Sequence, residues 1–453
     1  MVAWSLAEPQ RLGEVALLGD ESPRQILGRG GALADDGSPR VRFLRQRPGV
    51  HEERPPLAAP GLSRRQIELA PSPTGVAFER IGRCAVRHNG VACERGVLRA
   101  GDVLTLQNQL ILFCTRRPTT FPGSRGAEML AFGEPDRDGI VGESPAAWRL
   151  RQDLALVAAS AAHVLVLGAS GVGKELAARA IHRLSPRAGR ALVARSAATL
   201  PSTLLDAELF GNRKNYPHAD MPEREGVVGA ANGGTLFLDE IGELSAELQT
   251  HLLRLLDAGG EYHRLGESHA RRSDLRFVAA TNRAPGELKH DLAARLAIHV
   301  TVPGLDARAE DVPLLARHLL DEIVADRTDL RERFFEKRAD GSAFARLDPA
   351  FVELLLRRSW TLHVRELLSL LWASMRESSA HYLTIPSETS GGSEPLVRGD
   401  AGEVELSRET IARVLARHAG NQSKAYVELG LPSRFALRRL LRKHGIDPRR
   451  LDE

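Results

Sequence analysis

The sequence predicts a multidomain chain: an all-β sandwich, an α/β domain with a helical lid, and an all-α C-terminal module. Three observations predict it. Short β-type runs broken by Gly, Pro and Asn fill the first segment, strand-like and helical runs alternate through the middle, and the end is basic and helical. A length of 453 residues suits about three domains. Hydrophobic content of 43% and charged content of 26% exclude fibrous and disordered classes. No apolar run approaches membrane-spanning length, and Met1–Gln10 carries Glu8 and no basic stretch before an apolar one. The expectation is a cytoplasmic protein without a signal peptide. Cys84, Cys93 and Cys114 form no C-x-x-C pair, which suits buried or free thiols in a reducing compartment. The net charge is +4, with basic residues concentrated at the C-terminus.

The β segment is expected over 11–117, with strands near Gly13–Leu18, Val41–Leu44, Val97–Leu98, Val103–Leu106 and Leu110–Cys114. Residues 118–138, rich in Pro, Gly and charge, read as a linker. The α/β domain follows over 139–304, with strands at Val164–Leu167, Leu192–Ala194, Thr235–Leu238, Leu275–Ala280 and His299–Val302 in a largely parallel sheet. Residues 305–384 read as a helical lid, 385–403 as a second linker, and 404–453 as a small helical module.

The strongest motif is Gly168-Ala169-Ser170-Gly171-Val172-Gly173-Lys174-Glu175, between an apolar strand and a helical stretch. A glycine loop in that context lets backbone N–H groups curl around phosphates, the helix N-terminus adds positive potential, and Lys174 reaches the β/γ-phosphates. Glu175 stands where Ser or Thr usually helps hold Mg²⁺. A buried strand ends in Asp239 and Glu240. Asp239 is placed to hold Mg²⁺ or its waters, and Glu240 to polarise the attacking water. Thr281-Asn282 closes another strand, where a polar residue could sense the γ-phosphate, although the same pair also starts ordinary turns.

The central segment resembles the AAA+ domain of the sigma-54-dependent transcriptional activators. The resemblance rests on Ile140–Pro145, Gly168–Glu175, Glu208–Gly211, Gly233–Leu244, Ala279–Arg283, Glu310–Leu315, Trp360 and Val364–Leu367, in order. It implies a ring-forming ATPase using ATP and Mg²⁺, with Glu175 as the family's own residue after the lysine. It also implies that Arg365 acts as the lid's sensor arginine and Arg295 as a finger supplied to the neighbouring subunit, a role suited to a guanidinium. RNA polymerase is then a partner. The family's sigma-54-contacting loop is replaced by Asn215-Tyr216-Pro217-His218-Ala219-Asp220, in which Pro217 fixes its own φ and restrains Tyr216. Weak or absent sigma-54 contact follows as an expectation. Ser196 stands where the family has an Asn that restrains the catalytic glutamate, and Thr361-Leu362-His363 replaces the common Pro-Gly-Asn.

In the C-terminal module, Ser433 caps a helix with Leu437, Leu440 and Leu441 on one face and Arg434, Arg438, Arg439, Arg442 and Lys443 on the remainder. Such a helix after a short turn reads as the recognition helix of a helix-turn-helix that binds DNA; a solvated basic helix is the alternative. Gly420–Ala425 and Leu429–Leu431 resemble the Fis-type module. In the first segment, Gly28-Arg29, Ser63-Arg64-Arg65-Gln66 and Asn89-Gly90 resemble a forkhead-associated (FHA) domain. That resemblance implies a phosphothreonine-containing partner, with Arg29, Ser63 and Arg64 at the phosphate and Asn89 on the peptide backbone. The whole reads as an ATP-dependent, DNA-binding transcriptional regulator. A regulator in which ATP controls only oligomeric state is the alternative.

Overall fold

The architecture is that of a computed structural model. It describes residues 1–31, 37–121, 131–198, 202–216, 218–257, 259–338, 341–387 and 408–418, with single positions 425, 429, 437, 441 and 446. The chain divides into two units, 1–396 and 397–453, and the division falls inside the expected second linker.

The first unit opens with β-structure. Strands β1 (Val2–Ser5), β2 (Gln25–Leu27), β3 (Leu44–Arg47), β4 (Val50–Glu53), β5 (Ile67–Ser72) and β6 (Gly75–Arg80) are followed by β7 (Val86–His88), β8 (Val91–Ala92), β9 (Arg95–Leu98), β10 (Val103–Leu106) and β11 (Leu110–Phe113). They form sheets of order β1-β11-β10-β7-β8 and β2-β5-β6-β9, all neighbours antiparallel, with β3-β4 as a separate hairpin. Alternating residues such as Leu27, Ile67, Leu69, Phe78, Leu104 and Leu106 fill the space between the sheets. Two expectations fail here. The sheet begins at Val2, ahead of the expected boundary at residue 11, because Val2–Ser5 pairs with β11. Gly13–Leu18 is not a strand: only Val15 bridges, to Leu44, while Glu14 is buried by Arg11 at 2.8 Å and Arg54 at 3.1 Å.

The α/β part comprises α1 (Pro145–Ala158), β12 (Val164–Leu167), α2 (Lys174–Arg183), β13 (Leu192–Ser196), α3 (Ser202–Phe210), α4 (Val227–Ala230), β14 (Thr235–Asp239) and α5 (Ala246–Leu256). A short hairpin, β15 (Glu261–Tyr262) and β16 (Arg271–Arg272), precedes β17 (Arg276–Thr281), α6 (His290–Arg295) and β18 (Ile298–Thr301). The sheet order is β13-β14-β17-β12-β18, every pair parallel. Both faces are covered over the central strands β12, β14 and β17, which are buried on both sides, while the edge strands β13 and β18 are partly exposed. Leu165, Leu236, Leu238, Phe277 and Ala279 face one helical layer, and Val164, Val166, Phe237, Val278 and Ala280 face the other.

The lid contains α7 (Val312–Ile323), α8 (Thr328–Phe334), β19 (Phe335–Lys337), β20 (Ala343–Ala345), α9 (Pro349–Arg357) and α10 (His363–Glu377). The β19-β20 hairpin corrects the purely helical expectation; the Asp340-Gly341 pair is its turn signal in the sequence.

The larger correction concerns the linker expected at 118–138. The sandwich and the lid share one hydrophobic core, in which Ala3, Val103, Ile111 and Phe113 pack with Leu320, Phe351, Leu355 and Leu371. Arg117 pairs with Glu310 at 2.8 Å, both nearly fully buried. Phe132 lies under the guanidinium groups of Arg45 and Arg47, and the Gly133 N–H donates to Glu143 at 2.8 Å. The described residues of the segment are therefore anchored. Proline, glycine and charge report the absence of regular structure, which is a different property from freedom.

In the second unit, α11 (Arg408–Arg417) carries Ile411, Val414 and Leu415, which cluster with Ala425, Leu437 and Leu441. No helix among the described residues is long and apolar enough to cross a membrane.

Candidate functional site

Strand β12 runs straight into Gly168, and the chain turns through Gly171 and Gly173 into α2. Gly171 has φ of 81° and Gly173 of 98°, a left-handed region that glycine enters without steric cost. A Cβ on Gly171 would lie 2.2 Å from the Leu362 carbonyl oxygen, so contact with the lid also requires glycine there. Lys174 folds back over the turn, and its Nζ donates to the Gly168 and Ala169 carbonyls at 3.0 and 3.1 Å. Burial pushes its pKa down; Asp239 and Glu240 oppose this, and Arg365 adds to it.

A cavity of about 370 Å³ opens over this turn. Ser170–Glu175, Asp239, Glu240 and Arg365 supply its polar lining, and Ile140, Val141, Leu150, Leu315 and Leu319 its apolar lining. The position follows the rule for open parallel sheets, in which ligands bind beyond the carboxyl ends of the strands. Asp239 ends β14, and its Oδ1 accepts from the Glu240 N–H at 2.9 Å. Glu240 has φ of 56°, an uncommon conformation for a non-glycine residue that costs about 1 kcal/mol or more and recurs at functional sites. Arg365 approaches from α10, and its Nη1 donates to Ser170 Oγ at 2.9 Å.

The acidic residues fit a magnesium ion brought with phosphate better than a resident one. Mg²⁺ is ordinarily held by one or two carboxylates plus substrate phosphates. Asp239 offers one carboxylate, whereas Glu175 is exposed and pairs with Arg179 at 2.7 Å. Among the described residues, no group of three or more His, Cys, Asp or Glu side chains could hold a metal.

The structure thus brings together Gly168–Glu175, Asp239, Glu240 and Arg365. It does not bring Thr281, Asn282 or Arg295 to the cavity wall. Thr281 is buried and its Oγ1 accepts from the Arg283 N–H at 3.0 Å, while Asn282 is exposed. Arg295 lies on α6 and pairs with Asp257 of its own chain at 2.5 Å. Two residues were not singled out as site residues in the sequence. Arg308, 6% exposed, lines the cavity and donates to the Val141 carbonyl at 3.2 Å. Asp311, 1% exposed, accepts from the Glu143 and Ser144 N–H groups at 2.8 and 2.9 Å, tying the lid to the start of α1. For Asp311 the Glu310–Leu315 run was the available signal; Arg308 lies outside it.

The replaced loop is closed on itself. The amide of Asn212 donates to the carbonyls of Arg213, Tyr216 and Pro222 at 3.0, 3.2 and 2.9 Å, and the Asn215 N–H bonds to the Met221 carbonyl at 2.8 Å. Asn215 and Asp220 both take positive φ. Pro217 lies outside the described residues.

At the sandwich end, Arg29 and Ser63 meet, with the Arg29 N–H donating to the Ser63 carbonyl at 3.1 Å and Arg64 following directly. Ser63 Oγ accepts from the Arg83 N–H at 3.1 Å, and buried Gln66 donates to the Cys84 carbonyl at 2.8 Å. Asn89 is not there. It sits past the far end of β7, with positive φ, its Nδ2 donating to Asp102 at 2.7 Å and its Oδ1 accepting from the Val103 N–H at 2.9 Å. The strand β7, Val86–His88, lies between it and Cys84. The neighbouring Gly90 faces Arg357 and Glu353 of the lid. Asn89 is a turn residue here, and the residues that bond to Ser63 and Gln66 are Arg83 and Cys84. The expected DNA-contacting residues Ser433, Arg434, Arg438, Arg439, Arg442 and Lys443 lie outside the described residues.

The profile of the Sigma-54 interaction domain matches residues 140–301. Transcriptional regulatory protein ZraR of Escherichia coli K12 is 36% identical over 318 residues, covering 67% of this chain and 68% of its own. The chain belongs to the sigma-54-dependent regulator family. Regulatory protein AtoC of Escherichia coli K12 is 35% identical over 334 residues, covering 68% of each chain. Among solved structures, NtrX from Brucella abortus in complex with ATP has 28% identity, covers 69% of this chain and 70% of its own, and gives a TM-score of 0.48. Within the sigma-54-dependent regulator family, the α/β part described above is the AAA+ P-loop fold.

Proposed function

We propose that this protein is an ATP-hydrolysing, DNA-binding transcriptional regulator whose sandwich docks a phosphothreonine-bearing protein. The observation that carries the ATPase reading is the convergence of Lys174, Asp239, Glu240 and Arg365 on one cavity beside the Gly168–Gly173 turn. Lys174 and the turn's N–H groups hold phosphate oxygens, Asp239 holds magnesium or its waters, and Glu240 takes the proton of the attacking water. Magnesium, when bound, neutralises charge developing on the phosphates. Arg365 stabilises the terminal phosphate, and Arg295 serves the neighbouring subunit of a ring. Purified protein should hydrolyse ATP, and unchanged turnover in Lys174→Ala would sink the assignment.

The DNA-binding part of the proposal rests on the sequence of 404–453, and the phosphothreonine part on Arg29, Ser63 and Arg64. Phosphopeptide binding no stronger than that of unphosphorylated controls would remove the latter. A second reading is favoured by the self-closed loop at Asn212–Met221: ATP controls assembly on DNA, with sigma-54 contact weak or absent. Transcription in vitro from a sigma-54 promoter, compared with a housekeeping promoter, separates the two.

A further inference from the structure

His363, the residue before Val364, sits at a joint between the α/β part and the lid. Its backbone has φ of 49°, where histidine is one of the few enriched side chains besides glycine. Its ring is buried, at 8% exposure. Nδ1 accepts from the Leu305 N–H at 3.3 Å, and a Cβ placed on Gly304 would lie 2.6 Å from the ring's Cε1. Gly304 and Leu305 are where the chain leaves β18 and enters the lid. On the other side of His363, the Val364 N–H donates to the Gly171 carbonyl at 3.1 Å and Arg365 reaches Ser170 at 2.9 Å. The imidazole therefore wedges the core–lid joint from the same short segment whose next two residues touch the phosphate-binding turn. The preceding residues are held by Glu366, whose Oε2 accepts from the Thr361 and Leu362 N–H groups at 2.8 and 3.0 Å.

Resting on the ATP reading, we infer that His363 is a positioning residue for Arg365. As a neutral acceptor for Leu305 it holds the start of α10 so that the guanidinium faces the third phosphate. Protonation removes the acceptor and places a cation in the joint. Burial and Arg308 resist that protonation, while Asp306 and Glu366 favour it. The loss of positioning thus falls below the imidazole's ordinary value of 6.5.

The test is equilibrium binding of ATP and of ADP to the full chain, since Arg365 distinguishes the two through the third phosphate. His363→Ala should lose ~10-fold of the ATP-over-ADP preference, the size of one charge-assisted hydrogen bond, with ADP affinity kept. Arg365→Ala should lose a similar amount, and the double variant little more, which a merely structural role for His363 would not produce. His363→Asn, which tolerates the backbone conformation and does not titrate, should keep more of its preference in acid than the wild type. The nucleotide's own titration is common to both proteins. An unchanged preference in folded His363→Ala, additive losses in the double variant, or identical acid behaviour in His363→Asn and wild type overturns the inference. Wild type that binds neither nucleotide, or Lys174→Ala that binds both as well as wild type, sinks the ATP reading instead.

Discussion

At the nucleotide cavity the turn and its lysine come from one unbroken run, Gly168–Glu175, joined by Asp239, Glu240 and Arg365, while at the sandwich end the groups come from separate loops around β2, β5 and β7. In the first region, covalent spacing fixes most of the geometry: once β12 and α2 form, the glycine turn and Lys174 have little freedom left. In the second, each residue's place depends on strand register and on which end of a three-residue strand it falls. Asn89 shows the difference. Its Asn-Gly pair marks a turn in either placement, but β7 carries it away from Arg29 and Ser63 toward the lid.

Four measurements break or sharpen this contrast. Lys174→Ala should weaken nucleotide binding by ~100-fold, because it removes the charge that the buried turn is built around. Leu355→Ala should destabilise the protein by about 3 kcal/mol. Leu355 lies in the core shared by sandwich and lid, so hydrogen exchange should speed in β10 and α9 together. Loss of protection confined to α9 would restore the picture of a tethered sandwich. Arg29→Ala should abolish phosphopeptide binding while Asn89→Ala leaves it within about twofold, the inverse of what equal roles would give. The smallest effect concerns Glu310, whose pKa burial raises to about 7 against the pull of Arg117. The folded carboxyl keeps its proton where the unfolded one, at 4.5, releases it, so stability falls as pH rises between those values. Melting temperatures across that window should vary less in Glu310→Gln than in the wild type.

All five strands of the parallel sheet were legible in the sequence: β12, β14 and β17 because doubly covered strands are largely apolar runs, and the edge strands β13 and β18 as shorter β-type runs alternating with helical stretches. The two carboxylates on the cavity wall were legible for the same reason, since Asp239 and Glu240 end such a run. The sandwich was legible as a class, but Val2–Ser5 is too short and too close to the terminus to stand out from coil. The contacts of Arg308 and Asp311 were hidden because their partners, Val141, Glu143 and Ser144, are distant in sequence. The anchoring of 131–138 was hidden likewise: its contacts are made by Arg45, Arg47, Glu143 and Arg151, none of which marks the segment from within.

The core that joins Ile111 and Phe113 to the α9 side chains has a consequence for how such proteins can be recombined. A sensor joined by a flexible tether can be exchanged for another by cutting and splicing. Here the outer face of the sandwich and the outer face of the lid are two halves of one interior. A foreign N-terminal domain spliced in at residue 118 would leave Phe351 and Leu355 without cover, and a matching one would have to arrive with its own α9. Substitutions at Ile111 and in α9 are accordingly bound to be accepted in pairs.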